Sequence, residues 1–278
     1  MPDEKIASLR AVAEEAARRA GKVLAERFTS ARTIEFKGGI DLVTDADKAA
    51  EAVLLSYLRG EDPHHAILAE ESGASAGEGL RWIVDPLDGT TNYAHGVPHF
   101  SVSVGVDGPE GLMAGAVFDP LRNELYSAGR GLGATLNGVP LRTSAATRLD
   151  RALFAFGFPY DVHEMPEGPV ALVSHFVRRA RGMRRFGSAA LDLAYVAAGR
   201  YDGYFEFGLK PWDVAAGALL VLEAGGAVEH LDGAPLDVQR ADVVASAPGL
   251  TALMRAECRA VLASLPPEAR RIPHPLNG

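Results

Sequence analysis

Five short apolar or alternating runs, "AILAE" (66–70), "RWIVD" (81–85), "FSVSVGV" (100–106), "LMAGAVFD" (112–119) and "ELYSAG" (124–129), follow one another with only Gly-, Pro- and acid-rich connections between them. Runs this short, with this punctuation, predict strands, and the Asn-Gly pair in "GATLNGVPL" predicts a tight turn beyond them. A sheet of that size has to bury its faces against something, and the flanking sequence offers helices. At the N-terminus Ile6, Leu9, Ala13, Ala16, Ala20, Leu24 and Phe28 recur at three- and four-residue steps, the mark of a long amphipathic helix. "ADKAAEAVLLSYLRG" predicts a second helix, starting near Asp45 or Asp47 and closed by Gly60. Further helices are expected within 166–181, 188–199 and 213–224, with a strand at "GYFEFG" between the last two. No repeat or linker divides the chain. The expectation is a layered α/β fold in one domain spanning 1–278, ending in a Pro-rich extended tail from about residue 265 to 278.

The charge balance narrows the function. Lys and Arg number 28 against 36 Asp and Glu, a net charge of −8, which argues against a broad basic face for nucleic acid. Cys258 is the only cysteine, so no intrachain disulfide is possible. The N-terminus is charged throughout and lacks a signal peptide's apolar centre, and no uninterrupted apolar segment reaches the ~18 residues that span a bilayer. The expected location is the cytoplasm.

The acids at the strand ends carry the chemical signal. In "WIVDPLDGTTNYAHG", residues 82–96, the strand Trp82–Val84 ends at Asp85, and Pro86 makes continuation of the ladder unfavourable. The Pro86-Leu87 turn lets Asp88 face the same space as Asp85. Two close carboxylates repel unless a proton or cation lies between them, and Mg²⁺ favours a few carboxylates plus a phosphate. Gly89 removes a side chain where backbone would approach an anion, and a helix starting at Thr90 would offer free N–H groups. Read alone, the segment is also compatible with a simple Asp-Gly turn. Other acids repeat the arrangement: Glu70 and Glu71 end "LAEESG", Asp213 opens the helix "WDVAAGALLVLEAGG", and Asp47 lies in "DLVTDAD". Singly, each has an ordinary explanation, such as a helix N-cap for Asp213. Together they favour a metal site.

"WIVDPLDGTTNYAHGVPHF" and "WDVAAGALLVLEAGG", with "GSAALDLAYVAAGRYDGYFE" between them, resemble the signature motifs of the inositol monophosphatase family of Mg²⁺-dependent, lithium-sensitive phosphatases. The resemblance runs from about "DLVTDAD" to "GGAVEHLDGAPLD". It implies an α-β-α-β-α sandwich and hydrolysis of a small phosphate monoester, inositol 1-phosphate first among them, by direct attack of water with two or three Mg²⁺ ions. By the same resemblance, Glu70, Asp85, Asp88, Asp213 and the carbonyl of Leu87 would hold metal. Glu70, Thr90 and Asp47 would serve catalysis, Thr90 and Asp47 by orienting the water. Gly89 and Thr90 would bind phosphate, and Asp88, Ala189, Glu206 and Asp213 would contact the substrate. Relatives that cleave fructose 1,6-bisphosphate, adenosine 3′,5′-bisphosphate, NADP⁺ or histidinol phosphate keep the alternatives open, as does a non-catalytic accessory role on RNA or the transcription machinery.

Two other clusters stand apart from the acids. His95 and His99 are separated by Gly96 and Pro98, which disfavours a helical metal pair and predicts packing or loop roles. The basic run "RRARGMRRF", from Arg178 through Arg185, reads as a solvated helix end, as a contact in the homodimer the resemblance implies, or as a contact with RNA or a transcription factor.

Overall fold

The buried stripe predicted for the N-terminus forms helix α1 (Pro2–Phe28), with Ile6, Leu9, Ala13, Ala16, Ala20 and Leu24 all turned inward. The structure is a computed structural model describing residues 2–29, 34–37, 41–240 and 242–270. A two-stranded antiparallel ribbon, β1 (Ile34–Lys37) and β2 (Asp41–Thr44), which the sequence did not announce, leads into α2 (Asp45–Glu61). Thr44 caps α2, and Asp47 completes the capping box by accepting from the Thr44 N–H at 2.8 Å. Gly60 does not close this helix. It lies inside α2, which runs on to Glu61 and ends where the Asp62 N–H reaches the Leu58 carbonyl at 3.0 Å.

The five predicted strands form the body of one large sheet. It contains β3 (Ala66–Ala69), β4 (Gly73–Ser75), β5 (Arg81–Asp88), β6 (Ser101–Gly108), β7 (Gly111–Asp119), β8 (Glu124–Gly129), β9 (Gly133–Leu136) and β10 (Val139–Pro140), in the order β10-β9-β8-β7-β6-β5-β3-β4. All pairs are antiparallel except β3 with β5. At the β9–β10 turn both Asn137 (φ 49°) and Gly138 (φ 81°) take positive φ, the conformation a two-residue hairpin favours.

The short helix α3 (Thr90–Ala94) follows β5 directly. The second sheet comprises β11 (Leu153–Phe156), β12 (Gly182–Arg184), β13 (Gly203–Phe207), β14 (Ala227–Glu229) and β15 (Asp242–Ser246), in the order β12-β11-β13-β15-β14. Its helices are α4 (Glu167–Val177), α5 (Ala189–Ala197), α6 (Pro211–Glu223) and α7 (Thr251–Ser264). Helices α1 and α2 pack together, with α1 on β6–β8, while α5 and α6 lie between the two sheets and α4 and α7 cover the outer face of the second. The result is the expected α-β-α-β-α layering.

The central layer is thin because the residues along it are small. A Cβ at Gly105 would come within 2.9 Å of the Ala215 Cβ, and one at its cross-strand partner Gly115 within 2.9 Å of the Ala216 Cα. Helix α6 therefore rests directly on the backbone of the large sheet, which fixes the height of Asp213 above β5. The proline-rich ending is not wholly extended: Pro267–Arg270 forms a 3₁₀ turn with Ala269 buried, because its Ala269 N–H bonds to the Pro266 carbonyl at 3.0 Å. Residues 271–278 of the expected tail lie outside the described residues.

Candidate metal and phosphate site

The strand β5 does not stop at Pro86. It continues to Asp88 through a bulge, with Asp85 opposite Ser103 and Asp88 opposite Ser101. Three steps on β5 thus match two on β6, and the extra residue puts both aspartates on one face although their spacing in a regular strand would oppose them. Proline is tolerated there because a bulge gives up ladder pairing locally. Asp213 reaches the same space from the first turn of α6, where it occupies the third helical position rather than the N-cap and accepts from the Lys210 N–H at 2.7 Å.

Asp85, Asp88 and Asp213 each present a carboxylate oxygen within 4.8 Å of the others. Asp85 and Asp88 are buried and Asp213 is partly buried. Glu70 falls outside this triad but lines the same cavity of about 200 Å³, together with Leu87, Gly89, Thr90, Tyr160, Lys210 and Trp212. Burial first, then the charges of Glu70, Asp88 and Asp213, hold the Asp85 carboxyl well above the ordinary carboxylate range. Burial and the charges of Asp88 and Glu70 do the same to Asp213. Asp88 is also raised by burial, against the opposing hydrogen bonds it accepts. Crowded, desolvated carboxylates of this kind are what a hard divalent cation relieves, and an all-oxygen set fits Mg²⁺.

Each acid is held. Asp85 Oδ1 accepts from the Leu87 N–H at 2.9 Å. Asp88 accepts from the Ala189 N–H at 3.2 Å, the Ala190 N–H at 2.9 Å, Ser101 Oγ at 3.3 Å and Ser188 Oγ. It thereby caps the N-terminus of α5 from a different sheet layer, where the helix dipole favours a negative charge. Ala189 lines a second, adjoining cavity, and its N–H is directed at Asp88. The loop carrying Glu70 and Glu71 is tied to α2, because Glu51 Oε2 accepts the Glu71 N–H at 3.0 Å.

Gly89 sits at φ 97°, a conformation that favours glycine, and a Cβ there would lie 3.2 Å from the carbonyl oxygens of both Gly187 and His99. Helix α3 starts immediately afterwards, so the first N–H groups from Thr90 onward have no intrahelical acceptor and are suited to an anion. Thr90 Oγ1 lies 3.2 Å from Asp47 Oδ1 and 3.0 Å from the Leu87 carbonyl, two acceptors for one hydroxyl proton. The Leu87 carbonyl retains a second lone pair for another partner. Asp47 is fully buried, and burial raises its carboxyl against the hydrogen bonds from Thr44 and Thr90.

The second cavity, about 90 Å³, shares Asp88, Gly89, Tyr160, Gly208 and Asp213 with the first. Glu206 lines it on one side and Arg185 on another. Glu206 accepts from the Tyr204 hydroxyl, and burial pushes its carboxyl up to about 7. Behind it Asp192 is 1% exposed, with its Oδ1 unpartnered. Burial and the charges of Glu206 and Asp88 raise Asp192 well above the usual range.

The sequence reading names the acids and the Gly89-Thr90 pair gathered here but not Ser188 and Ser101, which bond Asp88, Glu51, which holds the Glu71 N–H, or Asp192, buried near Glu206. Only Ser188 and Asp192 carried a local signal, since they flank Ala189 at the start of a helical run. The histidines do not pair as ligands: His95 Nδ1 is 2.8 Å from the Thr91 carbonyl, while His99 is buried against Phe186 with a ring separation of 5.0 Å. Burial and the nearby Arg122 lower His99 to about 4, so it packs as a neutral ring.

Three crowded carboxylates, two on β5 and one on α6, thus lie beside a helix start, an arrangement that could hold a hard cation. Comparison with known proteins specifies the class further. Residues 5–263 match the inositol monophosphatase family. Nus factor SuhB of Salmonella typhimurium is 45% identical over 252 residues, 89% of this chain and 94% of that protein. The solved inositol monophosphatase of Anabaena (Nostoc) sp. PCC 7120 matches with a TM-score of 0.84 at 40% identity, over 95% of this chain and 99% of that one. The extragenic suppressor protein suhB of Bartonella henselae matches with a TM-score of 0.86 at 36% identity, over 91% and 98% respectively. This chain belongs to the inositol monophosphatase family.

Proposed function

We propose that the protein is a Mg²⁺-dependent phosphomonoesterase that hydrolyses a small polyol phosphate, inositol 1-phosphate being the leading substrate. The observation carrying this reading is the Asp85–Asp88–Asp213 cluster placed directly against Gly89 and Thr90. When bound, Mg²⁺ ions would supply positive charge to the phosphoryl oxygens and lower the pKa of water. Asp85, Asp88 and Asp213, with Glu70 and the Leu87 carbonyl, are the groups that would hold them. The Gly89 and Thr90 N–H groups would receive the phosphate, and the Asp47–Thr90 pair would orient the attacking water. Water oxygen bonds to phosphorus as the ester P–O bond breaks, and the departing oxygen takes a proton to give the alcohol and inorganic phosphate. Beyond the reacting bond, Glu206 can accept hydrogen bonds from neighbouring hydroxyls of a polyol.

A second reading comes from the curated relatives named Nus factor, which suggests an accessory role on the transcription machinery. The basic run supports it, because Arg178, Arg179, Arg181 and Arg184 are exposed between the end of α4 and the edge strand β12. The family's dimeric habit makes a homodimer the assembly to expect. The deciding experiment is phosphate release at fixed Mg²⁺ from inositol 1-phosphate, fructose 1,6-bisphosphate, adenosine 3′,5′-bisphosphate, NADP⁺ and histidinol phosphate, with Asp85→Asn as the blank. Release from inositol 1-phosphate above the blank supports the phosphatase reading, and release from none of them by metal-loaded protein leaves the accessory role.

A further inference from the structure

Arg185 ends the basic run and is exposed like Arg184 before it, yet it also borders a cavity. Arg179 faces outward and lies 3.7 Å from Glu257, whereas Arg185 forms part of the wall of the second cavity, with Asp88, Ala189, Glu206 and Asp213. Its positive charge is felt by both Glu206 and Asp192. Among the described residues it makes no hydrogen bond and no ion pair, so its donors are unused. Neither Glu206 nor Asp192 occupies its planar fork.

The loop that presents Arg185 is fixed from the phosphate side. Asn92, two residues beyond Thr90, donates from Nδ2 to the Phe186 carbonyl at 2.6 Å and to the His99 carbonyl at 2.8 Å. Gly187 takes φ 82°, and a Cβ there would lie 2.9 Å from Arg185 Nη1. Glycine at this position gives the guanidinium the room it occupies, and α3 thus sets the phosphate-facing backbone and the arginine loop together. A guanidinium matches a carboxylate or a phosphate through two parallel N–H···O bonds, a geometry that a neutral hydroxyl cannot use fully.

We propose that Arg185 is a specificity-determining residue that reads a second oxyanion on the leaving group. Esters whose leaving group carries a carboxylate or a second phosphate would then gain a contact at Arg185 that inositol 1-phosphate, with only the hydroxyls facing Glu206, does not use. This inference rests on the hydrolase reading for its reaction, but binding alone can test it.

The test uses the full-length, Mg²⁺-loaded protein at constant ionic strength. Three probes are compared: inositol 1-phosphate, whose leaving group is neutral, fructose 1,6-bisphosphate, and 6-phosphogluconate. Both kcat/KM for phosphate release and Kd by calorimetry are measured for wild type, Arg185→Ala, Arg185→Lys and Arg178→Ala. Relative to inositol 1-phosphate, the two oxyanion esters are expected to lose about tenfold in Arg185→Ala, the scale of one charge-assisted contact. Arg185→Lys should recover part of that loss, and Arg178→Ala, which removes equal charge away from the cavity, should leave the ratio at its wild-type value. Loss confined to one ester identifies the oxyanion as phosphate or carboxylate. An unchanged ratio in Arg185→Ala overturns the proposal even if all three esters are hydrolysed. Arg185-dependent binding without phosphate release retains it and removes the hydrolase reading instead.

Discussion

The two walls of the site are built in opposite ways. The wall proposed to face the phosphate comes from one continuous stretch, Asp85 to Thr90, whose bulge, left-handed glycine and helix start follow one another along the chain. The wall proposed to face the leaving group is assembled from distant segments: Arg185 after β12, Ala189 at the head of α5, Glu206 in β13 and Tyr160 after β11. Groups that must sit within a few ångströms of a reacting phosphorus are best fixed by local backbone geometry, which loop changes elsewhere leave intact. Groups that select among leaving groups sit on separate elements, where one substitution can alter selectivity without disturbing the chemistry. Asp213 belongs to the first wall by role and to the second by sequence, and it bridges them because α6 rests on Gly105 and Gly115.

The sharpest break should come at the phosphate wall. Asp85→Asn and Asp213→Asn are each expected to lower kcat by more than about 100-fold, beyond the loss typical of residues that only support metal ligands, with the circular dichroism spectrum unchanged. Wild-type turnover in either variant at saturating Mg²⁺ would falsify the metal assignment. Thr90→Ala removes the hydroxyl shared by Asp47 and the Leu87 carbonyl. About 10- to 100-fold should be lost from kcat with KM nearly constant, and a change in KM alone would show that Thr90 serves binding instead.

The bridge between the walls can be tested through packing. Gly105→Ala adds a methyl group 2.9 Å from the Ala215 Cβ and should push α6 outward, costing about 1–3 kcal/mol in a urea melt and weakening Mg²⁺ binding with it. Stability loss with unaltered metal affinity would mean that the seating of α6 on Gly105 and Gly115 does not set the position of Asp213.

The leaving-group wall should respond more gently. Glu206→Gln is expected to change kcat/KM by about tenfold for polyol esters and to reorder the substrate ranking. Because burial pushes the Glu206 carboxyl up to about 7, its ionised, accepting form is gained as pH rises through that value. KM for a polyol ester should therefore fall across that range in wild type and stay flat in Glu206→Gln, provided the probe's own ionisation is corrected for.

The smallest effect concerns stability without metal. Asp85, Asp213 and Asp192 all have raised carboxyls, so the native state holds protons that the unfolded chain has already released. Stability of the metal-free protein should then decline as pH rises above the unfolded carboxylate value of about 4, and Mg²⁺ should raise Tm more at pH 8 than at pH 5. A Mg²⁺-induced shift in Tm that is independent of pH would remove the crowded carboxylates as its cause.

Much of this protein is written locally. The three- and four-residue recurrence of α1, the strand runs from 66 to 129 and the Asn137-Gly138 turn all follow from short-range rules, because periodicity and backbone preference act within a few residues. The residues of the acidic cluster were legible for the same reason, each lying where an apolar run ends or a helix begins. Local patterns could not show that β5 would pass through Pro86 by a bulge, since pairing with β6 decides that. Nor could they show that Asp88 caps α5, that Glu51 anchors the loop of Glu70, or that Arg185 borders the cavity beside Glu206. Those relationships join residues 20 to about 100 positions apart. Only the stacking of two sheets on a thin helical layer brings them within hydrogen-bonding or Coulombic range.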